Sequence, residues 1–210
     1  MNVFKAPGSF GSYVYREPSR YQYVFWPATT DFFVYTCRRC HLSTAMLDFE
    51  DIPPDKITAL AAMLEREGAI GGAVVPYFEI PVLTRLDIAR KVYDVLGRDE
   101  VFWCEFERIT GYHLAELGQS KHAHAARERA LMLAEGLLET ETSATAKETL
   151  IIVGTMRFFT GDPSGARAAL ADASKRTFTG ADRDAAGLDE FLTQLIHDFR
   201  QRFLKESGQF

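Results

Sequence analysis

The chain has 210 residues, 47% of them apolar and 25% charged, with a net charge of −5. These totals fit a globular chain of one large or two small domains, and the acidic balance argues against a bulk nucleic-acid binder. The three cysteines are too few and odd in number for a disulfide framework, and no run of about 18 apolar residues reads as a helical membrane span.

Charge and aromatic content are uneven along the chain. Residues 1–45 carry Lys5, Arg16, Arg20, Arg38 and Arg39 against Glu17 and Asp31, a net of +3, so the remainder sums to −8. The same stretch holds 11 of the 26 aromatic residues. A basic, aromatic N-terminal piece therefore precedes an acidic body. The start lacks a basic segment followed by an apolar run, so no secretory signal is expected and a reducing cytoplasm is the expected location.

In chain order, Tyr21–Trp26 and Phe32–Thr36 read as extended pieces, rich in aromatic and β-branched residues. The second leads into Cys37-Arg38-Arg39-Cys40. Pro53 and Pro54 suit a first helical turn, for a helix reaching about Glu67 with Gly68 as its stop. Ala73–Ile80, with Pro76, reads as an edge strand or linker, and the composition shift places a domain boundary near residue 80.

The remainder reads as helix. Thr84 and Asp87 suggest a capping box opening a helix that ends at Gly97. Asp99 caps the next, whose stripe is Phe102, Phe106, Ile109, His113 and Leu117, with Gly118 as its stop. A helix over about 121–139 carries Ala123, Ala126, Ala130, Leu133 and Leu137 on one face. Thr145 and Glu148 suggest a second capping box, for a helix to Thr160 that is apolar nearly all round and hence central. Asp162-Pro163 opens a short helix to about Lys175. A final helix over about 183–206 has the stripe Leu188, Leu192, Leu195, Phe199 and Phe203.

Two of these stretches share a ladder of small residues. Gly111, Gly118, Ala123 and Ala130 recur as Gly154, Gly161, Ala166 and Ala173, each offset by 43 residues. The first Gly lets a second helix approach closely, the second supplies a positive-φ turn, and the two Ala lie seven apart on the face that meets the first helix. The ladder resembles the tetratricopeptide repeat, although its period is 43 rather than about 34 and Arg127 and Arg157 stand where bulky residues are usual. A generic antiparallel bundle is the plainer alternative. The expected fold is mainly α, with tetratricopeptide-like antiparallel helical hairpins over 81–210 and a small β-containing, aromatic-rich piece with a Cys-x-x-Cys knuckle over 1–80. Stacked hairpins offer a groove for a protein or peptide partner, so the chain reads as a non-catalytic adaptor with no catalytic residue assigned.

Cys37 and Cys40 are the candidate metal ligands, since two thiolates at this spacing can grip one zinc ion from a tight turn. A closed site needs four ligands; Cys104 stands apart and no second Cys-x-x-Cys occurs. The pair also reads as buried or free thiols, as a redox dithiol and, with His41, as the Cys-x-x-Cys-His haem-attachment pattern, which lacks the expected export signal. A metal- or thiol-dependent enzyme centred on Cys37 and Cys40 stays open as an alternative. Thr30-Asp31, Val34-Tyr35-Thr36-Cys37-Arg38-Arg39-Cys40, Ala45 and Asp48-Phe49-Glu50, followed by helical hairpins, resemble the bacterial family known as domain of unknown function 2225. The resemblance covers most of the chain and implies two zinc-binding knuckles on a tetratricopeptide-like body. Here His41 stands where that family has Gly, and the first knuckle would fall just before Phe4, where this chain begins at Met1. The resemblance thus implies a half or vestigial knuckle, with weak or absent metal unless a second chain adds ligands.

Other candidates have plain structural readings. His122 and His124, two apart on a helix, do not face each other and read as surface residues; His113 reads as a core histidine and His197 as structural. Asp162-Pro163-Ser164-Gly165 lacks the phosphate-loop pattern and reads as a helix cap, and Gly71-Gly72 as a hinge. Glu105 with Glu107 and Asp182 with Asp184 read as solvated faces. Tyr13, Tyr15, Arg16, Arg20, Tyr21 and Tyr23 could stack on and neutralise single-stranded nucleic acid, which makes a nucleic-acid-binding module the second functional reading.

Overall fold

The computed structural model describes residues 13–14, 24–25, 34–45, 47–49, 51–68, 80–140, 145–180 and 185–206. The expected extended piece at Ala73–Ile80, Gly71-Gly72, Asp182 and Asp184 and the aromatic run over 15–23 lie outside these, apart from Ile80. The described chain is mainly helical, with a small antiparallel β component towards the N-terminus. It divides between Arg98 and Asp99 into two compact units, eighteen residues beyond the composition shift near 80.

Among the described residues, the first unit holds four two-residue strands, β1 (Tyr13–Val14), β2 (Val24–Phe25), β3 (Tyr35–Thr36) and β4 (Ser43–Thr44), with α1 (Ile57–Arg66) and α2 (Val82–Leu96). β1 pairs with β2, Tyr13 opposite Phe25, and β3 pairs with β4, Tyr35 opposite Thr44; both pairings are antiparallel. Pro54 stands in a short 3-10 turn that leads into α1, and Gly68 closes that helix at φ +67°. The capping box expected at Thr84 is replaced by an earlier start. Arg85 N–H donates to the Pro81 carbonyl at 3.0 Å, so Thr84 already lies inside the first turn, and Asp87 instead pairs with Lys91 at 2.9 Å. One core joins Tyr35, Cys37, Leu42 and Phe49 of the hairpin region to Leu60, Met63 and Leu64 of α1 and to Ile88 and Val92 of α2.

The second unit holds α3 (Glu100–Glu116), α4 (Ser120–Thr140), α5 (Ala146–Thr160), α6 (Pro163–Ala173) and α7 (Ala185–Glu206). Asp99 and Asp162 cap α3 and α6, accepting from the N–H groups of Phe102 and Gly165 at 2.8 Å each. Thr145 makes no side-chain cap; its own φ and ψ are helical, and its carbonyl accepts the Glu148 N–H instead. α5 is buried on most of its circumference, and α7 packs through Leu192, Leu195, Phe199 and Phe203.

The small-residue ladder builds the same joint twice. α3 closes with the Gly118 N–H on the Ala115 carbonyl and the Gln119 N–H on Leu114; α5 closes with Gly161 on Phe158 and Asp162 on Arg157. Every one of these atoms has its counterpart 43 residues on. Both Gly118 and Gly161 are left-handed, at φ +71° and +96°, as this termination requires. The following helices then run back along their partners. A Cβ on Gly111 would lie 3.3 Å from the Ala123 carbonyl oxygen and one on Gly154 would lie 3.2 Å from that of Ala166, each also 2.9 Å from the Cγ of the side chain four residues further on, Arg127 or Leu170. Ala123, Ala130, Ala166 and Ala173 are all buried. In the first hairpin the antiparallel register continues to Cys104, whose thiol faces the Ala130 carbonyl at 3.7 Å.

The two arginines that depart from the repeat pattern have their own partners. Arg127 lays its stem over Gly111 and its guanidinium 4.5 Å above the Phe159 ring, and burial lowers its pKa. Arg157 donates from Nε and from one terminal nitrogen to Oε1 of Glu135, at 3.1 and 2.7 Å.

α7 is tied to α5 by a buried cation. The Lys147 ammonium donates to Oδ1 of Asp189 at 2.6 Å, to the Thr193 hydroxyl at 2.8 Å and to the Asp189 carbonyl at 3.3 Å. The same carboxylate oxygen accepts the Phe178 N–H at 2.6 Å. Burial pushes the Asp189 carboxyl up, but Lys147 and the Phe178 amide outweigh it and hold it below the ordinary range.

Two tests follow from these contacts. Gly154→Leu should cost roughly 1–3 kcal/mol by overpacking, read from chemical melts; an unchanged midpoint would contradict the close approach. Because its folded pKa is depressed, Asp189 stabilises the fold fully above about pH 4 and loses that contribution as pH falls through the lower folded value. The stability gap between wild type and Asp189→Asn, about 1–3 kcal/mol at pH 7, should therefore narrow on acidification towards pH 2.

Candidate functional site

The Cys37–Cys40 turn lies between β3 and β4. The Cys37 N–H donates to the Leu42 carbonyl and the His41 N–H to the Cys37 carbonyl, both at 2.8 Å. Residues 38–40 make the turn and His41 leaves it in the left-handed region, at φ +56°. The conformation is one that glycine adopts without strain and that other residues rarely take. The Thr36 and Ser43 hydroxyls meet at 2.9 Å across the hairpin, and Ser43 also donates to the His41 carbonyl at 2.8 Å. Sequence alone gave no reason to single out these two hydroxyls.

The hairpin is clamped from beneath by α2. The buried Tyr93 hydroxyl accepts the Ala45 N–H at 2.7 Å and donates to Oδ2 of Asp48 at 2.6 Å, while Arg98 holds Oδ1 at 3.0 Å. Burial, reinforced by the Asp48 carboxylate, drives the Tyr93 phenol pKa well upwards, so it remains a neutral donor. Periodicity could not reveal this clamp, because its partners stand 45 to 50 residues apart.

Cys37 is buried in the hairpin core, and Cys40 is half-buried at the turn. Burial opposes ionisation of Cys37, but the N–H groups of Cys40 and Arg39 and the Cys40 thiol outweigh it and hold the Cys37 pKa below the ordinary thiol value. Burial pushes Cys40 up, with the Leu42 N–H acting against it and contact with Cys37 adding to it. Arg38 and Arg39 are exposed at the tip.

Cys37 and Cys40 would fill two of the four tetrahedral positions of a zinc centre, and among the described residues no group of three or more His, Cys, Asp or Glu side chains is arranged to hold a metal. Cys104 belongs to the second unit, buried with its pKa pushed up by that burial.

Of the remaining candidates, those among the described residues fall where their structural readings put them, with one exception. His122, His124 and His197 are exposed, His124 lying 3.4 Å from Glu128, and His113 is buried beside Tyr112. Glu105 is exposed, but Glu107 is not the solvated carboxylate its neighbour suggested. It is 3% exposed and pairs with Arg129 of α4 at 2.9 Å, because α3 is buried on most faces of its C-terminal half. Among the described residues, no helix is long and apolar enough to cross a membrane.

A second feature lies on the α3–α4 hairpin. Val101 and Met132 are 60% and 66% exposed, high values for large apolar side chains. The antiparallel register that sets Cys104 against Ala130 brings both to the same end of that hairpin.

The chain matches no protein-family model, no curated protein and no solved structure.

Tyr93→Phe should destabilise the first unit by about 1–3 kcal/mol, since it leaves the Ala45 N–H and the Asp48 carboxylate short of a partner. The check is faster amide exchange at Ala45 with no change at Gly118; equal protection at Ala45 would contradict the clamp.

Proposed function

We propose that the protein is a non-catalytic adaptor. In this reading its paired hairpins are the units of a tetratricopeptide-like array, and they hold a peptide or protein segment. The observation that supports it is the repetition of one joint, Gly111 on Ala123 and Gly154 on Ala166, with the same terminating hydrogen bonds. Arrays of hairpins in one register present a continuous surface, and such surfaces serve mainly to bind extended partners.

In this reading the exposed apolar side chains of Val101 and Met132 are where a partner would be gripped. A thioether is adaptable and tolerates varied apolar partners. An aromatic or aliphatic anchor from an incoming segment that covered either side chain would release the water over it.

Peptides selected from a random library on the wild-type protein should bind a Val101→Asp/Met132→Asp variant at least about tenfold more weakly, a difference of about 1.4 kcal/mol, while the melting temperature stays unchanged. Selected peptides that bind both proteins equally would place the docking surface elsewhere. A library yielding no peptide above background would count against the adaptor reading itself.

A further inference from the structure

We propose that Cys37 and Cys40 are a redox dithiol that closes reversibly into an intramolecular disulfide by exchange with a small-molecule disulfide. The geometry of the turn carries this. The hydrogen bond from His41 N–H to the Cys37 carbonyl, at 2.8 Å, draws the ends of the turn together. A tight turn keeps its first and fourth Cα atoms within about 7 Å, and a disulfide spans roughly 4.4–6.8 Å between Cα atoms. The two cysteines stand at the first and fourth positions of this one hydrogen-bonded turn. The turn is held on both sides, by the β3–β4 pairing and by Tyr93 on Ala45, so closing the bond asks for little movement of the backbone.

The exposures divide the work between the two sulfurs. Cys40 is reachable at the turn, with the exposed cations Arg38 and Arg39 beside it, whereas Cys37 is buried. The Cys40 thiolate attacks one sulfur of the small disulfide, RSSR. The S–S bond breaks, and RS⁻ leaves with the electron pair. Cys37, on the same turn, then attacks the Cys40 sulfur of this mixed disulfide and expels the second RS⁻. Two protein thiols are oxidised, RSSR is reduced to two RSH, and the two thiol protons end on those products. The exchange needs only the two sulfurs of the turn. Cys104 takes no part, being buried in the other unit with its thiol on the Ala130 carbonyl.

The test uses the reduced full-length chain with a chelator present, in glutathione buffers of rising oxidised fraction. Samples are quenched by alkylation and read by intact mass and peptide mapping. The expected product is a Cys37–Cys40 peptide short of two hydrogens and free of alkyl groups, with Cys104 still a thiol, fully reversed by dithiothreitol. Its oxidation equilibrium constant should exceed that of the same chain in concentrated urea by about tenfold or more, because the folded turn holds the thiols together. In Cys37→Ser, glutathione should remain trapped on Cys40. Two results would each overturn the proposal: alkylation of both Cys37 and Cys40 in the most oxidising buffer, or equal equilibrium constants in the folded and urea-unfolded chain. Because the wild-type measurement decides the matter alone, poor folding of the serine variant would not weaken it.

Discussion

The second unit depends on one short-range constraint, the approach of a helix backbone to a glycine on its neighbour. At Gly111 and at Gly154 the facing carbonyl lies within about 3.3 Å of where a Cβ would stand. Any side chain at either position would push the second helix outwards and open the alanine seam along it. The left-handed glycine at the preceding corner serves the same approach. It reverses the chain within a few residues, so the next helix begins already beside the first. Propensity alone would not favour Gly inside a helix, where it costs up to about 1 kcal/mol relative to Ala. Its presence in α3 and α5 is explained by close packing.

The first unit is organised on a different basis. Its hairpin is short, and a two-stranded ribbon on its own is marginal in water. Its stability comes from α1 and α2, through the shared apolar core and through Tyr93, which supplies a donor and an acceptor to two different parts of the hairpin. The Cys37–Cys40 turn thus inherits a fixed geometry from a helix far along the chain. A thiol pair on a rigid mount reacts differently from the same pair on a floppy loop, because the effective concentration of one sulfur at the other is set by the scaffold.

The features legible in the sequence were those with local causes. Gly97, Gly118 and Gly161 stop their helices, Asp99 and Asp162 cap theirs, and the 43-residue repeat of small residues marks two equivalent joints. These rest on backbone rules that act within a turn or two. The capping boxes expected at Thr84 and Thr145 do not form, because a motif of four residues competes with the position of the neighbouring chain: Pro81 starts α2 early, and Thr145 is itself helical. Lys147, Glu107 and Tyr93 carried no signal. Buried polar groups are tolerated only with a partner, and those partners are distant in sequence: Asp189 lies 42 residues beyond Lys147, and Arg129 stands on the helix after Glu107. Periodicity sees which face is apolar, but it cannot see which charge on the other face will be enclosed. The candidate site was legible as a pair of cysteines, but its rigidity was not.

The most direct measurement is a double-mutant cycle between Gly154 and Leu170 in chemical unfolding. With a Cβ at 154 placed 2.9 Å from the Leu170 Cγ, Gly154→Ala should be destabilising in the wild-type background. In Leu170→Ala the new methyl instead enters vacated space and its penalty should shrink, giving a coupling energy of at least about 0.5 kcal/mol. A Gly154→Ala that is neutral or stabilising in the wild-type background would show that the second helix does not approach this glycine, and the repeated joint would fall with that result.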